Sequence, residues 1–341
     1  MDDRESIAVL GANGHTGRFV IAELLRQNIH PIAVVRPPTG DARGNLPDFG
    51  AHEVEIRHAA LDHEAAIDAA FYGAGAIINC AGPFVDTAEP VIQSALRLGC
   101  HYLDVTSEQA SVDACFALFD APARKAGVVV MPGASFFGGF TDLLATVAAG
   151  DWDTVDAITA YIGLDSWHPT HGTRRTAAIN VPRQVMCCGQ KVPQFLPPHQ
   201  RDWRFPAPFG TQLVTALPLS EIPLIAHHLP ASEIHTYVSD IALQDIRNPD
   251  TPPPVVNPVT GRSSQQFMVE VIAQKRGVTR SICAHGHDLY HFTAPLVCEA
   301  AKRLIAADYD GHGVLSPGAA FDAAHLLATL SPEHIRLNLA H

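Results

Sequence analysis

The chain has 341 residues, 47% of them hydrophobic, and carries 23 Lys+Arg against 35 Asp+Glu for a net charge of -12. That length suits two packed domains, and the acidic balance argues against a nucleic-acid partner, which selects a basic face. No apolar run is long enough to span a membrane, and Met1-Asp2-Asp3-Arg4-Glu5-Ser6 is too polar and acidic to read as a signal peptide.

The first element is an apolar run, Ile7-Ala8-Val9-Leu10, that stops at Gly11-Ala12-Asn13-Gly14-His15-Thr16-Gly17. Residues 16–27 then alternate apolar and polar at helical spacing. Strand, glycine turn and helix make the first half of a βαβ unit. The new helix offers unpaired N–H groups and a positive dipole end, which together accept a pyrophosphate if no side chain blocks it. Gly11 then makes the tight turn, Gly14 permits close approach, and Gly17 lets helix pack on strand. The spacing is G-x-x-G-x-x-G, or the commoner G-x-G-x-x-G with Ala12 in the first glycine place. A plain strand-to-helix turn is the alternative, and the position between strand and helix speaks for a dinucleotide.

The second strand, 31–35, ends in Arg36, nineteen residues past Gly17, and no carboxylate follows until Asp41. A guanidinium there pairs with a 2′-phosphate, where an NAD site carries Asp or Glu for the ribose. NADP is therefore favoured over NAD, with an exposed strand-end arginine as the other reading.

Further strands are expected at 54–57, 76–79, 102–105 and 128–131, and helices at 63–71, 89–98 and 111–126. Such βα alternation predicts a doubly wound, mostly parallel sheet. Residues 140–149 read as a helix and 155–162 as a half-buried strand. From 182 to 258 prolines and turn residues predict long loops or edge strands. Residues 267–274 and 279–284 read as a hairpin through Lys275-Arg276-Gly277-Val278. Helices follow at 290–306 and 320–330, the latter entered through Ser316-Pro317.

Seven cysteines without a C-x-x-C, Cys187-Cys188 among them, read as reduced thiols of a cytoplasmic protein. The 19 histidines, including His285-Gly286-His287, His168 with His171, and His227-His228, show no H-E-x-x-H and no accompanying cysteine pair, so no metal is expected. A G-x-S-x-G elbow and the Tyr-x-x-x-Lys pair of short-chain dehydrogenases are also missing from the sequence.

Several segments together resemble the saccharopine dehydrogenase-like superfamily, including its trans-acting enoyl reductase branch. The opening loop through Arg18 is similar to that family's. So are Asn79-Cys80-Ala81-Gly82-Pro83-Phe84 after the fourth strand and His101-Tyr102-Leu103-Asp104-Val105-Thr106-Ser107-Glu108 at the fifth. The run from Gly133 to Asp142-Leu143, and Asp288-Leu289-Tyr290 with Gly313-Val314-Leu315-Ser316-Pro317-Gly318, extend the likeness. Two departures stand out. Ser107 replaces the family's glycine before the acidic residue, and Phe136-Phe137-Gly138-Gly139-Phe140-Thr141 replaces a proline-rich approach to the D-L pair. Residues 165–260 have no match, so the resemblance implies the fold and the cofactor and leaves the substrate open.

The fold class expected is α/β: an N-terminal Rossmann doubly wound parallel sheet with a second α+β domain built on a largely antiparallel sheet. The expected boundaries are 1–150 for NADP binding, 151–287 for substrate and dimerisation, and 288–341 for helices packing back on the Rossmann domain. Cofactor contacts are assigned to Gly11, Ala12, Asn13, Gly14, His15, Thr16, Gly17, Arg36, Cys80, Ala81, Gly82, Pro83 and Asp104. Proton-transfer candidates are Glu108, Asp142 and His168, with Tyr102 and His171 behind them. For Tyr102 a hydroxyl satisfying a neighbour is the other reading, for Asp142 a helix N-terminal carboxylate. His168, His171 and Arg174-Arg175 face an anionic substrate or lie in a solvated loop, and Phe136, Phe137 and Phe140 form a pocket wall or a core. The activity expected is NADP-dependent hydride transfer to or from a C=N or C=C bond of a small anionic substrate, by a cytoplasmic homodimer. The alternative is a non-catalytic NADP-binding redox sensor or partner subunit.

Overall fold

The computed structural model describes residues 5–37, 54–179 and 182–340. These form two compact units. One runs to Ser135 and takes in Thr293–Leu315; the other covers Phe136–Phe292 and the residues from Ser316 onward.

The first unit alternates β1 (Ile7–Leu10), α1 (His15–Arg26), β2 (Pro31–Val35), β3 (Glu55–His58), α2 (Glu64–Phe71), β4 (Ala76–Asn79), α3 (Phe84–Leu98), β5 (His101–Asp104), α4 (Gln109–Ala126) and β6 (Val129–Met131). Strands β1, β2 and β4 are buried along their whole length, as parallel strands covered on both faces are. Helix α3 starts earlier than the expected Glu89, because Pro90 lies inside it. Pro90 stands in the second turn, where its missing N–H leaves the Asp86 carbonyl without the usual helical donor, a cost the buried face of the helix outweighs.

The second unit holds α5 (Thr141–Ala149), β7 (Val155–Leu164), α6 (His171–Ala177), β8 (Gln184–Cys187), β9 (Gln190–Pro193), β10 (Gln200–Arg204), β11 (Thr211–Ala216), α7 (Glu221–His228), β12 (Ala231–Ser239), α8 (Asp240–Arg247), β13 (Gln266–Lys275) and β14 (Val278–His287). Then follow α9 (Leu289–Leu304), β15 (Gly313–Val314), α10 (Pro317–Ala320), α11 (Ala323–Leu330) and β16 (Ile335–Ala340). Strand β15 returns to the first unit, whose sheet runs β15-β6-β5-β4-β1-β2-β3 with every pair parallel.

The second sheet runs β10-β11-β12-β7-β13-β14-β16, with β8 on β12 and β9 on β8. Only its β12–β7 pair is parallel. The proline-rich stretch expected to hold long loops or edge strands contributes five strands, short or flanked by prolines, which is how prolines and sheets coexist. The β13–β14 connection is tighter than expected: Lys275 pairs with Val278, leaving Arg276-Gly277 with φ of +49° and +79°, a type I′ turn. Phe136, Phe140, Phe267 and Phe292 are buried and pack edge to face, with Phe140 and Phe292 centroids 4.6 Å apart. Of the two readings of the phenylalanine run, the core is the one realised.

Candidate cofactor site and polar networks

In the first sheet the chain passes from β1 outward through β2 and β3, then returns to the other side of β1 with β4. The carboxyl ends of β1 and β4 therefore flank the switch point where ligands of open α/β sheets sit. The loops that leave them touch. A Cβ added to Gly11 would lie 3.2 Å from the Ala81 Cβ, and Gly11 has a φ of +75° that disfavours other residues. A Cβ on Gly17 would fall 2.2 Å from the Gly11 carbonyl oxygen, so only glycine lets α1 press onto the turn. Gly14 is exposed and serves as the N-cap of α1 without a side-chain cap, and no acidic residue stands in the first turn. Its N–H closes the turn on Gly11 O at 2.8 Å.

This is a cradle of the right chemistry for a pyrophosphate: dipole end, small residues and no carboxylate. Ala12 and Gly17 are buried, His15 and Thr16 half-buried, and Asn13 exposed. Arg36 is exposed just beyond β2, while Asp41 lies outside the described residues.

The loop after β4 is fixed by polar bonds. Ala81 N–H donates to Asn79 Oδ1 at 2.9 Å, and Thr87 Oγ1 donates to Ala81 O at 2.7 Å. Asn79 Nδ2 reaches Thr87 Oγ1 and Tyr102 OH at 3.2 and 3.3 Å. Tyr102 OH in turn donates to Asp104 Oδ2 at 2.8 Å. The other Asp104 oxygen accepts from Gly133 N–H at 2.7 Å and Thr106 N–H at 3.0 Å. Cys80 is half-buried, its thiol pushed up by burial, and the Gly82–Pro83 peptide is cis.

Asp104 is 0% exposed. Burial pushes its carboxyl up to about 6, against the lowering by the Gly133 and Thr106 N–H groups and the Tyr102 hydroxyl. Its carboxylate is a buried tie between β5 and the loop after β6. Tyr102 follows its structural reading. Glu108 also bonds to main chain. Its two oxygens accept from Phe84 and Val85 N–H, each at 2.9 Å, so it caps the start of α3.

In the second unit Asp142 is fully buried in the first turn of α5. Its Oδ1 lies 2.6 Å from His228 Nε2 at the end of α7, and its Oδ2 accepts from Gly318 N–H at 2.7 Å. Burial lowers the His228 pKa, but the Asp142 charge and hydrogen bond outweigh it and the net shift is upward. In the sequence His228 stands out only as a metal candidate beside His227; nothing in its spacing points to a carboxylate 86 residues away.

His168 is half-buried and His171 is exposed. Between them Thr170 caps α6, and Arg174 donates to Asn248 O and Thr251 O at 3.2 and 2.7 Å. The polar hub nearby is Tyr290, which the sequence offers only as part of the Asp288-Leu289-Tyr290 likeness and without a polar role; its hydroxyl meets Trp167 Nε1 at 3.1 Å and Thr173 Oγ1 at 2.9 Å.

Residues 7–131 match the family model of the saccharopine dehydrogenase NADP binding domain. This match gives residues 7–131 the likeness of the saccharopine dehydrogenase-like superfamily. Saccharopine dehydrogenase-like oxidoreductases of Bos taurus and Homo sapiens are 25% and 26% identical over 146 residues, 38% of this chain and 34% of each relative. The chain thus spans about a third of the length of these curated relatives. Over its full length the fold is similar to apo saccharopine dehydrogenase (L-Glu forming) from Saccharomyces cerevisiae. The TM-score is 0.63 at 11% identity, covering 99% of this chain and 100% of that one. A meso-dapdh variant from Clostridium tetani solved with DAP gives a TM-score of 0.51 at 14% identity, covering 97% and 98%. Among the described residues no helix is long and apolar enough to cross a membrane.

Proposed function

We propose that this saccharopine dehydrogenase-like chain is an NADP-dependent oxidoreductase that transfers hydride to or from a C=N or C=C bond of a small anionic compound. The observation that carries the reading is the Gly11–Gly14–Gly17 turn at the β1/β4 switch point, backed by the NADP-binding domain match over 7–131. Gly11, Asn13, Gly14, His15, Thr16 and the 80–83 loop would hold the dinucleotide, with Arg36 on the 2′-phosphate. When bound, the cofactor supplies the hydride chemistry. The chain supplies orientation and a proton. His228, held by Asp142 and with its protonated form favoured, joins Glu108, Asp142 and His168 as a candidate proton donor. The seven free thiols suit a reducing compartment such as the cytosol. A homodimer belongs to the same reading, and sedimentation as a monomer counts against it.

Fluorescence titration with NADPH and NADH tests the proposal. NADPH is expected to bind tighter, and Arg36→Asp to weaken NADPH by about 1–3 kcal/mol while sparing NADH. No binding of either cofactor below millimolar overturns it. One observation favours the non-catalytic sensor instead: Glu108 and Asp104 both give their carboxylates to backbone N–H groups. Tight NADPH binding with no turnover on a panel of imines, enoyl thioesters and ketones would select that reading.

A further inference from the structure

Cys187 and Cys188 read from the sequence as plain reduced thiols, yet the fold brings them to a carboxylate. In the β8–β9 hairpin Cys187 is paired with Gln190, so Cys188-Gly189 is the two-residue turn. Both turn residues have positive φ, +51° and +73°, the backbone of a type I′ turn. Met186 is in register with Ile234 of β12, and Gly189 N–H donates to Ser232 O at 2.9 Å. That register sets the turn beside Glu233 and His235, which share a face of β12 because strand side chains alternate.

The side chains converge. The two sulfurs are 3.9 Å apart, and Cys188 N–H donates to Glu233 Oε1 at 3.0 Å. Glu233 Oε2 lies 3.0 Å from His235 Nε2. One ligand atom from each of Cys187, Cys188 and Glu233 lies within 4.8 Å of the other two. Two thiolates on a tetrahedral zinc, each at about 2.3 Å, stand roughly 3.8 Å apart. The sulfurs are already near that separation. Cys188 is exposed and Cys187 half-buried, so an ion has access. Sulfur ligands select against magnesium and calcium, which take oxygen. A histidine on the far oxygen of a ligating carboxylate is the support that such carboxylates receive.

We propose that Cys187, Cys188 and Glu233 form a binding site for a thiophilic divalent cation of the zinc class, with His235 holding Glu233 and water completing the coordination. Binding releases the thiol protons to solvent and involves no redox step. The ion would pin the β8–β9 hairpin to β12.

The test uses the full chain, stripped with chelator, reduced with a phosphine under argon and titrated with Co²⁺. A thiolate-to-cobalt charge-transfer absorption is expected to saturate at one equivalent and to be bleached by Zn²⁺. Zinc should also protect Cys187 and Cys188 of the unmodified chain from alkylation, a readout that needs no variant. Glu233→Gln should weaken zinc at least about ten-fold in chelator competition. The double change Cys187→Ser with Cys188→Ser should abolish the charge-transfer band, and His287→Ala at an exposed histidine should change nothing. No band in the reduced wild type, a band that survives the double serine variant, or wild-type zinc affinity in Glu233→Gln overturns the proposal.

Discussion

The glycine turn offers a pair of substitutions that separate packing from ligand approach. In Gly17→Ala the new Cβ would stand 2.2 Å from the Gly11 carbonyl oxygen and 2.9 Å from the Ala12 Cα. Both are backbone atoms, so no rotamer relieves the clash and α1 must move off the turn by about 1 Å to restore van der Waals contact. Overpacking of this kind costs about 1–3 kcal/mol, and a backbone obstacle puts Gly17→Ala at the upper end. For a domain of this size that is a fall of roughly 2–4 °C in Tm per kcal/mol. In Gly14→Ala the Cβ meets only the Gly11 oxygen, at 3.1 Å, which a few tenths of an ångström relieve. Its stability should fall by only about 1 kcal/mol, the difference between glycine and alanine at an N-cap. NADPH affinity should nonetheless drop at least about ten-fold, because the methyl occupies the space in which a phosphate approaches the α1 N–H groups. Urea unfolding and NADPH fluorescence titration on both variants give the two axes. A Gly17→Ala protein as stable as wild type refutes the packing argument. A Gly14→Ala protein with wild-type NADPH affinity refutes the phosphate site, whatever its stability.

Two further predictions concern protons. Burial raises the Asp104 carboxyl from 3.8 to about 6 in the folded state, so the native form holds its proton to higher pH than the unfolded chain. Its contribution to stability is therefore greatest at low pH and declines between those values, by a term of order 3 kcal/mol. In Asp104→Asn that decline disappears, and the difference in unfolding free energy between variant and wild type should change across this window; a difference flat in pH would falsify the buried-acid reading. His228 works in the same sense at higher pH. Its folded pKa is raised above 6.5, so the Asp142 pair stabilises fully below that value and loses its contribution as pH rises through the raised one. His228→Gln should be more costly in mildly acidic than in alkaline buffer, by about 1–3 kcal/mol at most. If His228 is also the proton donor, kcat should fall in this variant while the NADPH Kd holds.

The first unit was legible because its chemistry is local. Gly11, Gly14 and Gly17 lie within one turn, and Gly11 and Gly17 do the steric tasks their spacing implies. The apolar runs of β1, β2 and β4 announce strands buried on both faces. The carboxylates were harder to place. Asp104 and Glu108 have the residue type for acid–base work, and the sequence cannot tell whether their oxygens meet substrate or backbone. The deciding partners, Gly133 for Asp104 and Phe84 with Val85 for Glu108, are 29, 24 and 23 residues distant and offer only main-chain N–H groups. Every residue has such a group, so side-chain identity carries no signal of them.

The second unit shows the complementary difficulty. Along β12 Ile234, Thr236 and Val238 are buried while Glu233 and His235 are half-buried on the other face, a period of two that the surrounding prolines obscure in the sequence. What the sequence withholds is the neighbour. β12 lies parallel to β7 and antiparallel to β8 and β11, so each of its faces is completed by residues from three separate stretches. The pairing of Met186 with Ile234 is what turns adjacent cysteines and an ordinary strand glutamate into one cluster. Slipping that register by one residue would send Glu233 and His235 to the opposite side of the strand from the hairpin turn. The same dependence on a single tertiary contact governs Asp142 and His228, which meet because the start of α5 and the end of α7 are held together with Gly318. Chemistry assembled this way is tested by breaking one partner at a time, since neither half carries a recognisable motif of its own.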